Sequence, residues 1–103
     1  MPTIPVCVTA NVTIQDPEQF AEYQRGVPAT IESHGGRYLI RGGAFEVAEG
    51  EWHPGRVVVL EFPTMEQARA WYHCAEYEEL KRLRFESAHT DVVFVEGVPP
   101  AEV

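Results

Sequence analysis

From Ile4 to Ile14 apolar residues occupy every second position, as Ile4, Val6, Val8, Ala10, Val12 and Ile14, with Cys7, Thr9, Asn11 and Thr13 between them. A period of two sends successive side chains to opposite faces, so the pattern predicts a strand. Pro5 cannot donate a ladder hydrogen bond and is expected at the strand's first residues or where a neighbour is absent. Asp16-Pro17-Glu18-Gln19 then combines an N-cap, a proline at the first helical position, an acid at the positive end of the helix dipole and a capping-box Gln. The helix that follows carries Phe20, Tyr23, Val27, Ile31 and His34 at three- and four-residue intervals as its inner stripe. Pro28 predicts a kink, and Gly35-Gly36 closes the helix.

Arg37-Tyr38-Leu39-Ile40-Arg41, Gly42-Gly43 and Ala44-Phe45-Glu46-Val47 read as a strand interrupted by a glycine bulge or bend, followed by a loop from Ala48 to Gly55. Arg56 to Phe62 is a β-branched run ended by Pro63; Val58, Leu60 and Phe62 share one face, and Val57, Val59 and Glu61 the other. Thr64-Met65-Glu66-Gln67 repeats the capping chemistry, with Met65, Ala68, Trp71, Tyr72 and Ala75 as the stripe behind it. Helical spacing continues through Tyr77, Leu80 and Leu83 to Ser87 after a break near Cys74 to Glu76, and Asp91 to Glu96 alternates as a final strand.

The order β-α-β-β-α-β is the split βαβ pattern. It predicts an α+β, ferredoxin-like fold: one antiparallel sheet with the first and third strands at its centre and the helices on one face. Residues 1–97 are expected to form a single domain and residues 98–103 a loose tail. If the helices cover Val58, Leu60 and Phe62, then Val57 and Val59 face water, together with either Val92 and Phe94 or Val93 and Val95. Pairing two such sheets face to face removes that patch, so a homodimer is expected.

Composition narrows the partners. The apolar fraction of 45% and charged fraction of 23% are those of an ordinary globular domain, and no apolar run is long enough to span a bilayer. A formal charge of −8 repels phosphate backbones, so nucleic acid is not an expected partner, and without a spanning run neither is a membrane. The start, Met1 to Pro5, has no basic segment, and a cytoplasmic location is expected. Cys7 and Cys74 form no C-x-x-C pair and are read as two buried free thiols; His53, His73 and His89 are dispersed. No metal and no cofactor are expected.

The chain resembles the family called domain of unknown function 1330, within the dimeric α+β barrel superfamily. The resemblance rests on Asp16-Pro17 with Tyr23, on Gly35 through Gly43, on Glu61-Phe62-Pro63, on Ala70-Trp71-Tyr72, on Glu76-Tyr77, on Arg84 and on Glu96-Gly97. Where the family carries Ser-Pro ahead of the Glu-Tyr pair, this chain has Cys74-Ala75. What the resemblance implies is the fold and the dimer. The wider superfamily holds cofactor-free monooxygenases, isomerases and haem enzymes, among which a fold cannot choose.

Arg41 and Glu61 are charges within otherwise apolar strands. They are the candidate catalytic residues, Arg41 gripping a carboxylate or enolate and Glu61 acting as base; the alternatives are a structural ion pair, or an arginine tied to carbonyls beside Gly42-Gly43. Tyr23, His34, Trp71 and Tyr72 on the helix stripes, with Arg84, are candidate ligand-binding residues, set against plain core packing for the aromatics and dipole contact with solvation for Arg84. Trp52 is either a flap over a pocket or an anchor on a partner subunit. The expected function is a small-molecule-binding homodimer, with cofactor-free chemistry on an aromatic or carbonyl-containing acid; the alternative is a non-catalytic binding or structural module.

Overall fold

The computed structural model of the protein describes residues 3–99. Its elements are β1 (Val6–Ile14), α1 (Pro17–Glu32), β2 (Arg37–Arg41), β3 (Arg56–Phe62), α2 (Met65–Tyr72), α3 (Ala75–Ser87) and β4 (Ala88–Glu96). The strands form one sheet in the order β2-β3-β1-β4, antiparallel throughout, so β1 and β3 hold the centre. This is the α+β arrangement read from the sequence. Pro5 stands just outside β1, where its carbonyl accepts from Gly97 N–H at 2.7 Å.

The helices begin where the capping residues place them. The Asp16 carboxylate accepts from Gln19 N–H at 3.2 Å and the Thr64 hydroxyl from Gln67 N–H at 3.1 Å, each satisfying a donor that the first helical turn leaves free. α1 runs through Pro28 without a break. The second helical region divides at His73-Cys74 rather than slightly later, and Cys74 occupies the N-cap of α3 with no side-chain cap hydrogen bond. β4 starts three residues before the expected Asp91, because α3 ends at Ser87 and the chain turns straight into extended backbone at Ala88. The Ser87 carbonyl accepts from Gln15 N–H at 2.8 Å and Asp16 N–H at 2.9 Å, which ties the end of α3 to the start of α1.

Val6, Val8, Leu60 and Phe62 on the inner sheet face pack against Val27 and Ile31 of α1, Ala68 and Trp71 of α2, and Tyr77 of α3. Gly26 lets α1 approach α3, since a β-carbon there would meet the Leu80 side chain. Cys7 and Cys74 are free, as expected, but half-buried rather than buried.

Two features matter for function, the first a departure from the expected pattern and the second in keeping with it. The bulge of β2 falls at Leu39, where the register with β3 shifts between Tyr38 and Ile40; the strand then ends at Arg41, and Ala44 to Val47 is not strand. The helices also cover one face only. The molecule is 43 × 39 × 16 Å, the thin dimension being that of a sheet with a single helical layer. The uncovered face exposes Ile40, Val93 and Val95, with Phe45, Val47 and Trp52 exposed in the β2–β3 connection. Val92 and Phe94 pack inward. Of the tail expected after residue 97, residues 100–103 lie outside the described residues.

Candidate functional site

A cavity of about 60 Å³ lies between the inner sheet face and the helices. That is several times the roughly 10–15 Å³ a single water needs on the same measure. Alternation along the strands supplies its apolar floor from Val8, Val58, Leu60 and Val92, and α1 adds Phe20 and Val27. Trp71, Tyr72 and Tyr77 wall one side; the Trp71 and Tyr77 ring centroids are 4.1 Å apart. Trp71 presents only its ring, because its indole N–H donates to Thr30 Oγ1 at 3.0 Å.

The polar lining comes from α1, α3 and the edge of the sheet. The Tyr23 and Tyr77 hydroxyls bond each other at 2.7 Å. Arg84 also lines the cavity; it is only 4% exposed, and its Nε and Nη2 have no hydrogen-bond partner. Arg41 and Arg56 line the sheet side, the Arg41 guanidinium 4.5 Å from the Tyr38 ring centroid, and Arg56 Nη2 donating to the Arg41 carbonyl at 3.3 Å. Burial pushes Tyr23 well above the ordinary tyrosine range, helped by the neighbouring Tyr77 hydroxyl. Burial also raises Tyr77, outweighing the opposite pull of Arg84. Both are therefore neutral hydroxyls at physiological pH. For Arg84, burial works against its charge but is outweighed at high pH by Tyr77 and Tyr23 as they ionise, so its pKa is raised and it is a cation throughout the physiological range.

The structure brings Arg41, Tyr23, Trp71, Tyr72 and Arg84 together around this cavity and leaves out Glu61 and His34. Glu61 points from the opposite face, where its Oε1 accepts from Arg37 Nε at 3.0 Å and Nη2 at 2.9 Å. The Leu39 bulge separates it from Arg41. In an uninterrupted strand Arg41 would share the outer face with Arg37; the extra residue returns it inward opposite Val58. His34 lies beyond the end of α1, its Nδ1 3.0 Å from the Thr30 carbonyl and 3.2 Å from Ser33 Oγ, and is not part of the wall.

Tyr38, Arg56, Tyr77 and Thr90 belong to the site but were not singled out from the sequence. The available signal was spacing: Tyr77, Lys81, Arg84 and Ser87 are the buried residues of α3 and recur at helical intervals. The stripe is largely polar, so it does not read as an inner face. Lys81 shows how the fold treats a buried cation elsewhere, with Nζ 2.6 Å from Glu78 Oε1 and 3.6 Å from the Tyr72 ring centroid. Among the described residues no three His, Cys, Asp or Glu side chains converge to hold a metal, and none of these residue types lines the cavity.

A two-layer α+β domain with a small cavity between sheet and helices, walled by aromatic rings and arginines, defines the class of protein. The chain matches the domain of unknown function DUF1330 over residues 6–98 and belongs to that family. None of the curated proteins matches it. Among solved structures it is similar to a protein of unknown function from Rhodopseudomonas palustris, with a TM-score of 0.76 at 18% identity over 95% of this chain and 85% of the other. It is also similar to SnoaB, a cofactor-independent oxygenase from Streptomyces nogalater, with a TM-score of 0.59 at 8% identity over 95% of each chain. A candidate antibiotic biosynthesis monooxygenase from Nitrosomonas europaea gives a TM-score of 0.56 at 14% identity over 97% and 95%. At these identities the likeness is one of fold. No helix among the described residues is long and apolar enough to cross a membrane.

Proposed function

We propose that the protein is a small-molecule-binding homodimer whose ligand occupies the cavity between helices and sheet, and that it acts as a cofactor-free enzyme, monooxygenase- or isomerase-like, on an aromatic or carbonyl-containing acid. The observation that carries the binding reading is the cavity itself: apolar over most of its wall, with Arg84, Tyr23 and Tyr77 grouped as polar contacts, the composition of a small-molecule site. The likeness of fold to a cofactor-independent oxygenase supports the catalytic half by analogy. In such chemistry Arg84 would stabilise the anion that forms when the substrate loses a proton, and the apolar wall would keep water from it.

Dimerisation is supported by the uncovered sheet face. Ile40 is 44% exposed, Val93 55% and Val95 48%, beside an open groove of about 650 Å³ whose lining includes Phe45, Val47 and Trp52. A patch of this kind is the usual mark of an interface. Two copies placed face to face cover it symmetrically, each offering the same surface.

One observation favours the non-catalytic alternative. No carboxylate or imidazole lines the cavity, and both tyrosine hydroxyls hold their protons firmly, so the protein offers no general base of ordinary strength there. Incubation in air with a panel of hydroxyaromatic and keto acids, followed by dissolved oxygen and proton NMR, distinguishes the readings. Oxygen uptake matched by loss of substrate establishes an oxygenase, and exchange or migration of a carbon-bound proton without oxygen uptake establishes an isomerase. Saturable binding with neither establishes the binding module.

A further inference from the structure

Three buried side-chain polar atoms lack a hydrogen-bond partner among the described residues: Arg84 Nε, Arg84 Nη2 and Thr90 Oγ1. Arg84 and Thr90 both line the cavity. Tyr77 and Tyr72 stand close enough to the guanidinium to favour its charge, but as phenols they supply no counter-charge, and a buried cation without one is among the costliest groups a fold can carry. The contrast with Lys81, which is equally buried but has Glu78 at 2.6 Å, shows that this fold does supply a counter-charge where a buried cation serves packing alone. The cavity wall is also the reverse of the chain in sign: the formal charge is −8, yet Arg41, Arg56 and Arg84 line the cavity with no Asp or Glu.

The unpartnered atoms are informative as a pair. Nε and Nη2 form one edge of the planar guanidinium, with two N–H bonds pointing in parallel, the geometry that donates to both oxygens of a carboxylate. We propose that Arg84 is the carboxylate anchor of the cavity and that its ligand is a small, flat, single-ring aromatic monocarboxylate. The inference rests on the reading of the cavity as a ligand site and narrows it to a substrate class. The acid lies with its carboxylate on the Nε–Nη2 edge and its ring against Trp71 and Tyr72. At about 60 Å³ the cavity is below the roughly 150 Å³ that holds a benzene ring, so its walls must yield to admit even one ring and a larger acid is excluded. Tyr23 and Tyr77, kept neutral by burial, leave the guanidinium's charge to the ligand.

The test is a titration of the wild-type protein and Arg84→Gln with benzoate and with its neutral isostere benzamide, following the indole N–H resonances of Trp71 and Trp52. Benzoate should bind the wild type at least about tenfold more tightly than benzamide, as a charge-assisted pair implies. The Trp71 resonance should move while that of Trp52, on the β2–β3 connection, stays. In Arg84→Gln the preference should vanish. Equal affinity for both compounds in the wild type overturns the carboxylate assignment and leaves the cavity reading standing. Movement of Trp52 alone, or no binding of either compound at millimolar concentration, overturns both. If Arg84→Gln does not fold, the wild-type ratio decides by itself: a ratio near one overturns the proposal.

Discussion

The hydroxyls of Tyr23 and Tyr77 meet at 2.7 Å across the contact between α1 and α3, in the wall of the cavity that Arg84 also lines. The pair joins the two helices by a bond that exists only while at least one phenol is protonated. Burial raises both pKa values above the ordinary 10.0. A raised value in the folded state means that folding favours the protonated form. The stabilisation is therefore complete below pH 10 and is lost as pH climbs from there through the folded-state values. Urea unfolding between pH 8 and pH 11 should show stability falling in the upper part of that range. Tyr23→Phe should cost about 1 kcal/mol at pH 8, the usual worth of a hydrogen bond, and show a shallower alkaline decline. An identical alkaline slope in the variant would mean that the pair does not govern it.

Cys74 at the N-cap of α3 makes no side-chain cap bond, and Ala75 follows at the first helical position. Cys74 has φ −70° and ψ 154°, an extended conformation that accepts both a capping serine and a following proline. Cys74→Ser should stabilise the protein by about 0.5–1 kcal/mol through the added cap, and Ala75→Pro by about 0.4–1 kcal/mol through reduced freedom of the unfolded chain. At roughly 4–8 °C per kcal/mol for a domain of this size, thermal unfolding of the double variant resolves the gain. A lowered midpoint would show that packing of the Cys74 sulfur outweighs the cap.

Val93 and Val95 point away from the helices on β4, 55% and 48% exposed in the single chain. Replacing both by Glu leaves the chain's own core untouched and places two like charges on each copy at the proposed interface. Light scattering after size exclusion should report the double mass for the wild type and the single-chain mass for the variant. A variant that keeps the double mass would locate the interface elsewhere.

Glu61 and Arg37 form an ion pair on the outer face, with the Arg37 side chain 70% exposed and that of Glu61 31%. Such a pair contributes about 0–1 kcal/mol. Glu61→Gln should therefore change stability by less than about 1 kcal/mol and leave affinity for benzoate within roughly twofold, because the carboxylate does not reach the cavity. Loss of binding with stability preserved would restore Glu61 to the site.

The ladder of elements was legible because its signals are local. Alternation marked β1, a β-branched run marked β3, and Asp16 and Thr64 marked the helix starts with side chains that do the capping observed. Half of the site was legible for the same reason, since Tyr23, Trp71 and Tyr72 fall on apolar stripes. What escaped was set by relations between elements. One extra residue at Leu39 turns Arg41 inward and leaves Glu61 outside, and nothing in the composition of Arg37 to Arg41 announces that register shift. The inner face of α3 carries Lys81 and Arg84, so a hydrophobic pattern could not find it; Arg84, a candidate binding residue set against a reading as a solvated end-of-helix cation, is buried and lines the cavity. Helical spacing from Tyr77 held the information; hydrophobicity did not.

The most direct measurement of the account is a native mass spectrum of protein purified gently from its expression host, because subunit number and retained small molecules appear together. The account predicts a two-chain species carrying a discrete extra mass within the range of small aromatic acids, released when the chains are unfolded. A single-chain species, or a dimer that stays bare after equilibration with millimolar benzoate, would contradict it.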